Sequence, residues 1–338
     1  MDEETGPDVL LTGLLFYDLV LTGLGKPPTP GEEIWTRGMG CGPGGIANLA
    51  VAAARYGLAT SLATVFGDDF YGAHCREILA AQEGIDLSLS RTAENWNTPV
   101  TVSLAHDHDR ALVTHGQEPG YTQDELLGDP PSARSALVHI GAEPQEWLAK
   151  AAATGTLIFA DIGWDPTEQW SGEVLKQLSL CHAFLPNDTE AMGYTRTDSP
   201  AAALTGLAEL TPLAVITCGR AGALAVDQTT GEHAQVAALD IDAIDATGAG
   251  DIFGASFVAA TLGGWPLADR LRFACLAAGL SVQHHTGAFA APGWHGIDRW
   301  WRTTGSRDRE LARAYGFLAD RIPADPGPAP AHAPVTPR

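Results

Sequence analysis

Ile244-Asp245-Ala246-Thr247-Gly248-Ala249-Gly250-Asp251-Ile252-Phe253-Gly254-Ala255-Ser256-Phe257 reads as a tight glycine turn entering an apolar helix, with Thr247 in the capping position and Asp251 in the first turn. The first N–H groups of a helix have no intrahelical partner and sit at the positive end of its dipole, so this start is suited to an anion. Gly248 and Gly250 carry no Cβ to keep that anion away. A carboxylate there gains from the dipole, which predicts that Asp251 stays ionised and able to accept a proton. An anion hole beside a base is what phosphoryl transfer to a hydroxyl requires.

Two other glycine loops fit less well. A P-loop needs Lys after its last glycine, and the only Gly-Lys pair, Gly25-Lys26, runs into Pro27. A dinucleotide fingerprint needs a third glycine where Phe253 stands, with Gly254 one residue late.

Asp245-Ala246-Thr247-Gly248-Ala249-Gly250-Asp251 resembles the D-x-[TV]-G-A-G-D signature of the PfkB family, the ribokinase-like carbohydrate kinases. The resemblance implies a three-layer α/β/α fold with a mostly parallel central sheet and a small β-lid. It implies Asp251 as catalytic base and the amides of Ala249, Gly250 and Asp251 as the anion hole, with Gly248 at the turn. ATP and Mg2+ follow as expected ligands, and family members can also bind a monovalent cation such as K+ near Asp245 and Thr247.

Composition sets bounds on this reading. The 338 residues are 45% hydrophobic and 18% charged, an ordinary globular balance with room for a large core. A net charge of -21, with only three lysines, argues against nucleic acid and anionic membranes as partners. The five cysteines are odd in number, widely spaced and without a C-x-x-C pair, which disfavours disulfides and zinc and points to a reducing cytoplasm. The apolar run from Val9 to Leu24 is broken by Asp18 and follows acidic residues, so it reads as neither signal peptide nor membrane span.

Before the central stretch, Val9 to Leu15 is an apolar run that predicts a buried strand leading to Asp18 at its carboxyl end, where open α/β sheets bind ligands; a loop carboxylate is the other reading. Gly40-Cys41-Gly42-Pro43-Gly44-Gly45 reads as a turn, and Ile46 to Tyr56 as a helix with Asn48 in its first turn, either a cap or a hydroxyl-binding amide. Gly44-Gly45-Ile46-Ala47-Asn48, with two residues between the glycine pair and Asn where the motif has three, resembles the family's G-G-x-x-x-N motif, which implies that Asp18, Gly44, Gly45 and Asn48 hold a sugar. Ile46 stands where ribokinase proper and several phosphosugar kinases of the family carry Lys, which favours an unphosphorylated acceptor.

Gly67 to Gly72 resembles a structural turn of the family. Strands near 98–105 and 111–115 form a hairpin, and with about 27–40 and 96–118 they give the expected lid, through which a homodimer would form. Trp35 and Trp96 suit either a ligand face or the hinge, and His106, His108 and His115 read as solvated hairpin residues rather than metal ligands.

The middle of the chain alternates strand and helix patterns, predicting parallel strands with crossovers. Asp161 ends one strand, but Asp161-Ile162-Gly163-Trp164-Asp165 lacks the Asn and Arg of the family's D-x-N-x-R. Asn187-Asp188-Thr189-Glu190 matches N-x-x-E, which makes Glu190 and Asn187 candidate Mg2+ organisers through water, with helix capping as the other reading. Thr217, Gly219 and Gly222 resemble the T-x-G-x-x-G nucleotide turn and, with Asn187 and Thr247, complete the expected ATP contacts. His284 to Ala288 would border the adenine.

The kinase domain is expected over 8–320, followed by a disordered Pro/Ala-rich tail at 322–338. A sugar kinase is thus the reading, against a nucleoside kinase of the same fold, a catalytically silent sugar-binding regulator and a nicotinamide-dependent oxidoreductase.

Overall fold

The computed structural model describes residues 6–106, 109–141, 143–163, 165 and 167–331. Among the described residues, fourteen strands form three sheets. They are β1 (Val9–Thr12), β2 (Leu15–Thr22), β3 (Gly38–Gly45), β4 (Thr60–Ala63), β5 (Val65–Gly67), β6 (Arg91–Ala93), β7 (Val100–His106), β8 (Asp109–His115), β9 (Ser135–His139), β10 (Leu157–Asp161), β11 (Ala183–Phe184), β12 (Leu213–Thr217), β13 (Ala223–Asp227) and β14 (Glu232–Val236). The helices that matter for the site are α1 (Ile46–Arg55), α2 (Phe70–Glu77), α3 (Asp188–Thr195), α4 (Ala249–Leu262), α5 (Leu267–Ser281) and α6 (Gly287–Ala290).

The central sheet has eight strands in the order β14-β13-β12-β11-β10-β9-β1-β4, parallel from β12 to β4 and antiparallel at the β12-β13-β14 edge. Side chains alternate across it, as a strand's period of two dictates. Val9, Leu11, Leu137 and Phe159 join the core under α1, α4 and α5, whereas Leu10, Ala136, Val138, Ile158 and Phe184 join the core of the opposite layer. Two helical layers on a sheet buried on both faces is the α/β/α arrangement expected of the sequence.

The second sheet, β3-β2-β7-β8, is the lid, and its make-up departs from expectation. The apolar run from Val9 does not stay in one sheet. It breaks at Gly13-Leu14, and the chain resumes as β2 in the lid, so Asp18 lies in the middle of a lid strand and not at the end of a core strand.

The stretch Gly40 to Gly45 is not a turn but part of β3, while 23–37 is the loop joining β2 to β3. Its glycines serve close packing. A Cβ at Gly38 or Gly40 would lie within 2.5 Å of Thr22 Oγ1 or of His285, one at Gly42 2.4 Å from the Phe289 ring, and one at Gly44 2.0 Å from the Asp18 carboxylate. One bare face of this strand therefore receives side chains from three other segments. The hairpin β7-β8 forms as expected; the side chain of His106 and all of His108 lie outside the described residues.

At the end of the chain, residues 323–331 run past α1, where Arg55 donates to the Ala331 carbonyl at 3.0 Å, and residues 332–338 lie outside the described ones. Among the described residues no helix is long and apolar enough to cross a membrane, and the five cysteines are free.

Candidate active site

Parallel strands bring their carboxyl ends to one edge, and four of them deliver side chains there. His139 closes β9 and is in register with Asp161 closing β10; Asn187 follows β11, and Thr217 closes β12. The start of α4 faces this edge from one side, and Asp18 on β2 comes from the lid.

The loop before α4 is clamped. The amides of Ile244 and Asp245 both donate to the Val282 carbonyl, and buried Asp245 accepts from Thr247 N at 2.9 Å and from Thr286 N at 3.0 Å. The cap is Gly248 and not Thr247. Gly248 has φ +75°, and a Cβ there would meet Gly287 Cα at 2.7 Å and Asn48 Nδ2 at 2.9 Å, so only glycine fits. Thr247 Oγ1 is buried with no partner among the described residues.

Ile252 N opens the helical ladder on Gly248 O, and Ala249 N makes a long 3.3 Å contact with Ala246 O. Among the described residues nothing accepts from the amides of Gly250 and Asp251. Of the three expected hole donors, two are free to bind an anion.

Asp251 is oriented from two sides. Asn48, buried in the first turn of α1, donates through Nδ2 to Asp251 Oδ2 at 2.8 Å, and His139 Nε2 lies 3.9 Å from Oδ1. Asn48 is wedged between Gly248 and Gly287, its Oδ1 without a described partner. Burial raises the pKa of Asp251; His139, the Asn48 hydrogen bond and Arg110 of β8 oppose that rise. The dipole at the helix start therefore does not keep this acid in the ordinary range, because desolvation is the larger effect.

The neighbouring acids show the same imbalance. Burial, then the charges of Asp251 and Asp245, push Asp18 up to about 7 against a weaker pull from Arg110. Burial and Asp251 bring Asp161 to about 7, although Ile162 N donates to its Oδ1 at 2.7 Å. Glu190 also reaches about 7, chiefly through burial.

A stability prediction follows for Asp161. Its carboxyl keeps a proton in the fold up to about 7 but sheds it near 3.8 in an ordinary setting. Between those values the native state binds the extra proton, so stability falls as pH rises through that window. Asp161→Asn should thus raise stability at pH 8 by about 1–2 kcal/mol after solvent screening, a few degrees in Tm, and change little at pH 4. Thermal melts at the two pH values check this; a lower Tm at pH 8 would count against it.

Asn187 and Glu190 form a reciprocal capping box at the start of α3: Glu190 N donates to Asn187 Oδ1 and Asn187 N to Glu190 Oε2, both at 2.9 Å. The capping reading is realised here, and Glu190 Oε1 is left over. Beyond β12, Thr217, Gly219, Gly222, Gly250, Phe253 and Val282 line a cavity of about 290 Å³. Gly222 has φ +97°, and its Cβ would lie 1.9 Å from Val236 O, so the turn that shapes this cavity depends on glycine.

One expectation is not met in this region, and two points the sequence leaves open take shape. His284 to Ala288 do not border the cavity; His285 Nε2 lies 2.9 Å from Thr22 Oγ1, against the lid. Trp96 is buried and donates to Gln117 O, so it packs the lid base, while Trp35 stays 83% exposed. Asp165 turns into its own loop, accepting from Thr167 N and Trp170 N. His139 and Arg110 went unread in the sequence. The signal for His139 was its place at the end of a strand in register with Asp161.

Comparison with known proteins follows the same lines. A family model described as pfkB family carbohydrate kinase matches residues 7–293. A nucleoside kinase of Methanothermobacter thermautotrophicus is 27% identical over 284 residues, 82% of this chain and 89% of that protein. Arabidopsis thaliana ribokinase, solved with ribose and ATP, superposes with a TM-score of 0.72 at 21% identity, covering 89% of this chain and 100% of that one. An E. coli chain solved with ATP and Mg2+ gives 0.71 at 17% identity, covering 87% and 99%.

Proposed function

Because the chain belongs to the pfkB family of carbohydrate kinases, we propose that it transfers the γ-phosphoryl group of ATP to a hydroxyl of an unphosphorylated sugar, with Asp251 as base. The observation that carries this reading is the pairing of Asp251 with two free amides at the start of α4, beside a cavity of about 290 Å³. Ala249 and Gly250 line the cavity, so a nucleotide in it could direct its phosphates at those amides.

The residues then divide the work. Asn48 fixes the Asp251 carboxylate, and Asp18 faces it from the lid to hold the acceptor. Asp251 takes the proton of the attacking hydroxyl while the Gly250 and Asp251 amides hold the transferring oxygens. Glu190 Oε1, with Asn187, would hold a hard divalent cation through water, and Mg2+ there would supply charge neutralisation on the phosphates. The hydroxyls of Thr247 and Thr286, without partners among the described residues, lie beside the Asp245 clamp and fit a monovalent cation such as K+.

The pH dependence has a definite sign. A protonated Asp251 cannot accept the hydroxyl proton, and Asp18 titrates at about 7. Acceptor kcat/KM is expected to climb from pH 6 to a plateau near pH 8; a profile that declines over that span contradicts the assignment.

A nucleoside acceptor is the second reading, supported by the archaeal nucleoside kinase among the relatives. A panel of sugars and nucleosides with coupled ADP detection decides between them. Ligand-induced thermal shifts without any ADP release would instead indicate a silent binding protein. A reducing cytoplasm suits the five free thiols, and exposed Leu112 and Val113 on β8 are where a lid-mediated homodimer would meet.

A further inference from the structure

We propose that His139, Asp161 and Asp251 form a site for a divalent transition ion of the Zn2+ or Co2+ class, distinct from the oxygens assigned to magnesium. His139 Nε2 lies 3.8 Å from Asp161 Oδ2 and 3.9 Å from Asp251 Oδ1, and the three atoms lie within 4.8 Å of one another. Bonds of about 2.0–2.2 Å to such an ion set neighbouring ligands roughly 3–3.5 Å apart, so the triangle needs to contract by only about 1 Å.

Both carboxylates are already aimed. Asp161 accepts Ile162 N–H on Oδ1 and Asp251 accepts Asn48 Nδ2–H on Oδ2, which leaves to each the oxygen that faces the imidazole. Outer donors of this kind orient metal ligands, and these three stand on the ends of β9, β10 and α4. Three protein ligands leave further positions open, and an imidazole nitrogen selects zinc or cobalt over the harder magnesium. Two carboxylates against one imidazole are also neutralised more fully by a dication than by one proton.

The functional consequence rests on the kinase reading: an ion on Asp251 Oδ1 removes the base, so Zn2+ should inhibit Mg2+-dependent turnover. The site itself is tested without nucleotide or acceptor, by titrating the full chain with CoCl2 and following visible absorption and heat. One ion per chain is expected, weakened at least about tenfold in His139→Ala and in Asp161→Asn, the loss that even an outer-shell change produces. Circular dichroism checks the fold, and Asp161→Asn covers the case in which His139→Ala does not fold. No saturable cobalt binding, or equal binding in wild type and both variants, overturns the site. Binding at these residues with Zn2+-insensitive turnover upholds the site and counts against Asp251 as base.

Discussion

Asp251→Asn is expected to lower kcat by about a thousandfold while ATP still binds. The substitution keeps the shape of the side chain, and its carbonyl oxygen can still accept from Asn48 Nδ2, which holds Asp251 at 2.8 Å. The amides at 250 and 251 are backbone, and Asp251 is not among the residues that line the cavity beyond them, so both remain in place. What disappears is the capacity to take a proton. Removing the charge also relieves its neighbours, since Asp251 helps to raise both Asp18 and Asp161. Steady-state rates with ADP detection, together with calorimetry of ATP binding, give the measurement. Turnover within tenfold of wild type would strip Asp251 of its role; lost ATP binding would mean that the anion hole had collapsed with it.

Gly44→Ala should act on the acceptor side alone. An added Cβ would lie 2.0 Å from Asp18 Oδ2 and within 2.6 Å of the rest of its carboxylate. The end of a side chain can swing aside where a backbone cannot, so the fold survives and Asp18 is displaced. Losing a hydrogen bond to a charged group costs about 1.5–3 kcal/mol, which sets a rise of roughly 30-fold in acceptor KM. ATP KM and Tm should stay close to wild type. If acceptor KM is unchanged, Asp18 does not hold the acceptor.

The parallel core strands with their crossovers and the glycine entry to α4 are legible because each rests on a local signal: an apolar run bounded by turn residues, and a turn that only glycine can make. Thr247 was misplaced as the cap because the true cap, Gly248, is selected by Asn48 and Gly287 from remote parts of the chain. Strand β3 reads as a turn in the sequence for the same kind of reason. Its alternate glycines look like flexibility in the sequence, yet they answer to His285, Phe289 and Asp18 pressing on one face. His139 was invisible to motif reading because its meaning lies in register with Asp161 across β9 and β10. The acidity of the cluster was misjudged because burial, unlike the helix dipole, cannot be read from neighbours in sequence.

Two residues, Gly13 and Leu14, separate the core strand β1 from the lid strand β2, and Asp18 rides on the latter. Door and floor are thus cut from one plank. If Asp18 holds the acceptor as proposed, any swing of the door carries that anchor with it, so shutting out water and bringing the alcohol up to its target become a single movement. On that reading, an acceptor too small to hold the door would leave itself unaligned as well.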